Sequence, residues 1–193
     1  MKEIELVFDP KKAGVTGMGF VELPAIEEDG FFFDTDKQNI TFAKETEEEG
    51  LFVAPAMIAN KRIYRYNQFT NEEYNVFFTP ETIKTLSQEF LINNYNNNVS
   101  EQHEDAVKDV HLVYSWIVEN EEDQIITKYG YKDIPVGSWV VMYKINNEEI
   151  KDKIHKGEIR GLSIEGFFAE KFNTHADLYK DQVEKIKSLL GNM

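Results

Sequence analysis

The opening segment KEIELVFD alternates Ile4, Leu6 and Phe8 with Glu3, Glu5 and Val7, the period of two expected of a half-buried strand. From Pro10 to about Gly50 that regularity is lost. Short apolar bursts (VTGMGF, VELPAIEEDG, FFFDTD) are cut by Gly, Pro and the acidic run KETEEEG, which reads as an arm or loosely built subdomain. From Leu51 onward six segments are rich in β-branched and aromatic residues and bounded by turn formers: LFVAPAMI, KRIYRYN, EEYNVFFT, VHLVYSWIVEN, GSWVVMYKIN and EIRGLSIEGFFAEKF. They predict a mainly β core.

Two helices are expected between these strands. In TPETIKTLSQEFLINN, Thr79 can cap, Pro80 suits the first helical position, and Ile83, Leu86, Phe90 and Leu91 share a face. NNEEIKDKIHKG has acidic residues at its positive end, Lys and His at its negative end, and closes on Gly157. The Asn-rich NNYNNNVS predicts a turn with left-handed backbone. In the tail, Tyr179, Val183, Ile186 and Leu190 recur at helical spacing, predicting a third, amphipathic helix. The chain therefore divides into an N-terminal strand and arm (1–50), a β-rich domain (51–172) and a terminal helix (173–193).

Charge and composition remove several functions. A formal charge of −14 and a pI near 4.7 argue against nucleic-acid binding, which rests on clustered Lys and Arg. The absence of cysteine removes disulfides, thiolate metal sites and cysteine nucleophiles. No apolar run reaches the roughly 18 residues of a membrane span, and the N-terminus lacks a signal-peptide pattern, so a cytoplasmic, membrane-free protein is expected. HExxH, GxGxxG, P-loop and GxSxG patterns are missing and the acidic clusters lack calcium-loop spacing, so no cofactor or metal is expected.

The unusual segment is RGLSIEGFF, residues 160–168, which sets a hydroxyl inside a strand pattern. A buried hydroxyl without a partner costs roughly 1 to 3 kcal/mol, so Ser163 calls for one. The natural partner of a hydroxyl nucleophile is a histidine. His175, at the start of the terminal helix, and His155, near the C-terminus of a charged helix, read as surface residues, and His111 reads as an edge or solvent position. His103 lies in SEQHEDA, where Glu101, Glu104 and Asp105 favour an imidazolium. A third group should orient the imidazole. Glu165 shares a strand face with Ser163, their Cβ atoms roughly 7 Å apart. Glu119, at the end of the strand after His103, is the rival, and the sequence does not choose between them. Gly161 and Gly166 bracket the pair and suggest a bulge or the close approach of another backbone. Exposed Tyr64, Tyr66 and Tyr74 would suit a β-rich binding module, although aromatic stripes on strands more often pack.

The ordered motifs VELPAIEE, APAMIANKRIYRYN, EEYNVFFTPETI, NNVSEQHED, YSWIVEN, PVGSWVVMYKINNEEI and GEIRGLSIEGFF resemble the XkdF-like serine proteases of tailed phages, from about residue 17 to 170. These are prohead proteases related in fold to herpesvirus assemblins. The resemblance implies a compact six- to seven-stranded β-barrel flanked by about three helices, with nucleophile and base on Ser163 and His103. It also implies action on scaffold and capsid-protein extensions inside the prohead, in the host cytoplasm, with retention in the virion as an option. Assemblins dimerise, which points to self-association through the terminal helix, although a helix packed on its own barrel has the same pattern. In assemblins the third catalytic residue follows the serine by about two dozen positions on a strand, whereas here that interval leads into the terminal helix. The long helical scaffold-like extension of some prohead proteases is also missing. A protease-fold head protein with an impaired site is the alternative.

Overall fold

The computed structural model describes residues 2–12, 14–26, 31–33, 50–123, 129, 131 and 134–171. They form twelve strands: β1 (Lys2–Val7), β2 (Gly14–Val21), β3 (Phe31–Phe33), β4 (Leu51–Met57), β5 (Ile63–Asn67), β6 (Glu72–Phe77), β7 (Val99–Glu101), β8 (Asp105–Ala106), β9 (Val110–Ile117), β10 (Trp139–Ile145), β11 (Gly161–Phe167) and β12 (Ala169–Glu170). Two α-helices accompany them, α1 (Pro80–Ile92) and α2 (Glu148–Lys156). The third expected helix, with His175, lies outside the described residues.

The strands make three four-stranded sheets, ordered β12-β1-β6-β5, β3-β4-β10-β9 and β11-β2-β7-β8. The pairs β1–β6 and β2–β7 are parallel and the others antiparallel. The expected barrel is therefore corrected: among the described residues the sheets stay open. Each sheet ends on strands that pair on one side only among the described residues, β12 and β5, β3 and β9, and β11 and β8. Strands β4 and β10 are buried on both faces. Phe52, Ala54, Val141 and Tyr143 enter one apolar cluster, while Leu51, Val53, Val140 and Met142 enter a second on the opposite face. Strands buried on both faces read as continuous apolar runs.

The larger cluster gathers Met18 and Phe20 of β2, Ile83, Leu86 and Phe90 of α1, Trp139 of β10, Ile150 and Ile154 of α2, and Leu162 of β11. Burial of each large side chain there stabilises the fold by roughly 1.5 to 3 kcal/mol. Helix α1 starts as its sequence predicts, with Thr79 accepting from the Thr82 amide and Pro80 in the first turn. Leu91, however, is 43% exposed and does not join the buried stripe of Ile83, Leu86 and Phe90. Helix α2 is capped by Asn147, whose side chain accepts from the Ile150 amide, and ends on left-handed Gly157 at φ 75°.

Two further differences from the sequence reading bear on the site. The stretch 14–21, read as part of an arm, is a buried strand lying between β11 and β7. In β9 the expected alternation slips, because the register with β10 shifts between Met142 and Tyr143. Before the bulge Val110 and Leu112 face the larger cluster; beyond it Ile117 does, and Trp116 and Val118 face the smaller one. His111 is exposed, as its edge position suggests.

Candidate active site

Ser163 sits in β11 directly opposite Gly19 of β2, and Glu165 directly opposite Gly17. Directly opposed residues share a sheet face, with Cβ positions about 5 Å apart. The other face of both strands is apolar: Met18 and Phe20 of β2 and Leu162 of β11 are fully buried. The polar side chains thus occupy the face of β11 turned away from the core. What β2 offers them is a pair of glycines.

His103 reaches this face from the neighbouring hairpin. Strands β7 and β8 are joined by Gln102, His103 and Glu104, and the Glu104 amide donates to the Glu101 carbonyl at 2.9 Å. Gln102 and His103 both have positive φ, 50° and 64°. This is the primed type of hairpin turn, usually built from Asn and Gly, because L side chains resist the left-handed region. Non-glycine residues held there at a cost of about 1 to 3 kcal/mol often mark functional sites. The Gln102 amide donates to the Phe20 carbonyl at 3.0 Å, which locks the turn to β2.

The turn lays the imidazole over Gly19. A Cβ built on Gly19 would lie 2.7 Å from His103 Cε1 and 2.8 Å from Nδ1. Ser163, the direct partner of Gly19, emerges from the same sheet face; its hydroxyl makes no hydrogen bond to the imidazole in this structure. His103 Nδ1 is 3.0 Å from Glu165 Oε1, with side-chain exposures of 40% and 31%. The Ser100 hydroxyl of β7 donates a short hydrogen bond to the same oxygen. The Glu165 carboxylate therefore crosses above β2 from one side to the other. It can do so because Gly17 leaves a trough: a Cβ there would stand 3.0 Å from Glu165 Oε2.

The two candidate orienting carboxylates are separated by this geometry. Glu165 contacts His103, whereas Glu119 is exposed beyond β9, its amide donating to the Asp123 carboxylate at 3.1 Å. Of the acidic residues flanking His103, Glu101 is taken by Lys153 of α2, whose ammonium lies 2.7 Å from both carboxylate oxygens. Hydrogen bonding to Glu101 first, and then to Glu149, raises the Lys153 pKa. That ion pair anchors the end of β7, one residue before the left-handed turn. Among the described residues no group of three His, Asp or Glu could hold a metal ion.

Gly166 marks the close backbone approach that the sequence suggests, opposite a bulge in β2. The β2–β11 register shifts between Glu165 and Gly166, and Thr16 of β2 is the extra residue. A Cβ on Gly166 would fall 2.0 Å from the Gly14 carbonyl oxygen. Gly166→Ala should therefore push β11 off β2 and destabilise the fold by about 3 kcal/mol, lowering Tm by about 6 to 12 °C in a chain of this size. Thermal unfolding followed by circular dichroism checks this; an unchanged Tm would mean that the bulge is not formed.

Ser100, Gly17 and Gly19 were not legible as site residues. The signal available was the spacing Gly17-x-Gly19 in a segment otherwise apolar at Val15, Met18, Phe20 and Val21. Of the tyrosines of the β5–β6 hairpin, Tyr64 OH is tied to Glu73 at 3.2 Å and Tyr66 OH to Asn71 at 2.8 Å, while Tyr74 is half-buried.

A mainly β chain with serine, histidine and carboxylate on one sheet face carries the side-chain set of a Ser–His–acid hydrolase. The chain belongs to the family described as "Putative phage serine protease XkdF", whose model matches residues 60–173. The matched span contains Ser100, His103, Ser163 and Glu165, while β1, β2, β3 and β4 precede it. No curated protein and no solved structure matches the chain. Among the described residues no helix is long and apolar enough to cross a membrane.

Proposed function

We propose that the chain is the serine endopeptidase of a phage prohead, cutting scaffold and capsid-protein extensions during head maturation. The observation that carries this reading is the 3.0 Å contact between His103 Nδ1 and Glu165, made on the sheet face from which Ser163 emerges. A carboxylate on Nδ1 fixes the tautomer with its proton on that nitrogen and leaves Nε2 to act as base. His103 Nε2 takes the Ser163 proton as Oγ attacks a peptide carbonyl. The resulting imidazolium, stabilised by Glu165, then protonates the leaving amine. An acyl-enzyme remains, and water activated by the same nitrogen hydrolyses it.

The formal charge of −14 suits a protein that works in a compartment about to receive DNA without adhering to it. The substrates are extended polypeptides of other head proteins, and self-association through residues 173–193 is part of the proposal. Mass spectrometry of head proteins from infections with the wild-type chain and with Ser163→Ala tests the reading. New protein termini are expected in the first and their full-length precursors in the second. Identical termini in both would leave a structural head protein that shares only the family's shape.

A further inference from the structure

The mechanism just described leaves one feature beside Ser163 unused. A cavity of about 360 Å³ is lined by Leu162, Ser163, Ile164 and Gly166 of β11, together with residues of β1, β4, β5 and β6, but by none of β2. Successive strand residues point to opposite faces, so a cavity that touches 162, 163 and 164 in turn runs along the strand's edge. That edge is the one away from β2, and among the described residues β11 pairs only with β2. The cavity floor is apolar, with Met57, Val76, Phe78 and Leu162 all buried. Its charged lining residues are the exposed Arg65 and the half-buried Glu170.

An unpaired strand edge offers a row of backbone donors and acceptors, which an extended polypeptide satisfies by adding as a further strand. The side chains of such a strand alternate. One set falls on the face of Ser163 and Glu165, and the other on the face of Leu162 and Ile164, where the cavity lies. We propose that this cavity is the specificity subsite of the enzyme: it takes a large aliphatic or aromatic side chain of a substrate polypeptide paired along the edge of β11 that no described strand occupies. The inference rests on Ser163 being the nucleophile, and it adds which polypeptides are cut. Hydrophobic pockets discriminate between large and small apolar side chains by roughly 10- to 200-fold.

Ala25 provides the test, because it lines the cavity yet is exposed, so that a larger side chain there fills the space without entering the core. The full chain and Ala25→Trp are each given a peptide library randomised one position at a time, and each is treated with a small alkyl fluorophosphonate. The expected result is a preference of at least about 10-fold for a bulky apolar residue at one position near the cut. Ala25→Trp should abolish that preference while Ser163 is still labelled. Cleavage without an apolar preference, or with one that Ala25→Trp leaves intact, overturns the subsite and spares the catalytic reading. Absence of both cleavage and label overturns the catalytic reading itself. If Ala25→Trp changes only the elution volume in size-exclusion chromatography, the edge pairs two copies of the chain, and the subsite is likewise overturned.

Discussion

His103→Ala should lower kcat/KM for a cleaved peptide by roughly 10⁵- to 10⁶-fold, a loss of about 7 to 8 kcal/mol of transition-state stabilisation. The proposed mechanism makes the effect this large, because in it nucleophile and base act as one unit and no other described residue hydrogen-bonded to the Glu165 carboxylate is a base. Ser100 cannot replace the imidazole, since its hydroxyl is already donating to Glu165. The fold should not suffer. His103 is exposed in a turn whose backbone is held by the Gln102 and Glu104 amides, independently of the imidazole. Steady-state kinetics with a fluorogenic peptide, beside a thermal melt, measures both quantities. A loss of less than about 10-fold with an unchanged Tm would remove His103 from the reaction.

Gly19→Ala separates the site from the fold more sharply. The added methyl carbon would need to occupy space 2.7 Å from His103 Cε1, so the imidazole must move. Misplacing a catalytic group by about 1 Å can cost 100-fold, and at least that loss is expected in kcat, with KM little altered. Stability should hold or rise, because glycine inside a strand is costly relative to alanine and the contact lies on the outer face. A variant that folds as well as the parent, binds substrate and turns it over 100-fold more slowly is the signature of a displaced base. Full activity in Gly19→Ala would mean that the imidazole does its work elsewhere.

How far the sequence reveals this arrangement depends on the element. Strands β4, β5, β6, β9, β10 and β11 are legible because their apolar and aromatic runs are long and end in turn formers. Helix α1 is legible through Thr79 and Pro80, which signal its start independently of tertiary contacts. Strand β2 is hidden by its own function. Gly17 and Gly19 are what let His103 and Glu165 lie across it, and those glycines make VTGMGF read as an interrupted arm. The turn carrying His103 is hidden for a related reason, since Gln-His does not announce a left-handed hairpin as Asn-Gly would. Ser163 and Glu165 stand out because polar residues inside an apolar strand need an explanation. Ser100 does not, because a serine next to an asparagine-rich turn needs none. Whether sheets close is not encoded in any one strand, because closure depends on which strands pair at the two edges.

The most direct measurement of the central claim is covalent labelling by a fluorophosphonate, with the adduct located by tandem mass spectrometry of tryptic peptides. A nucleophile activated by its neighbours should be modified at Ser163 alone, and the rate should collapse in His103→Ala and fall in Glu165→Gln. No adduct at Ser163, or one that forms equally fast without the imidazole, would contradict the account.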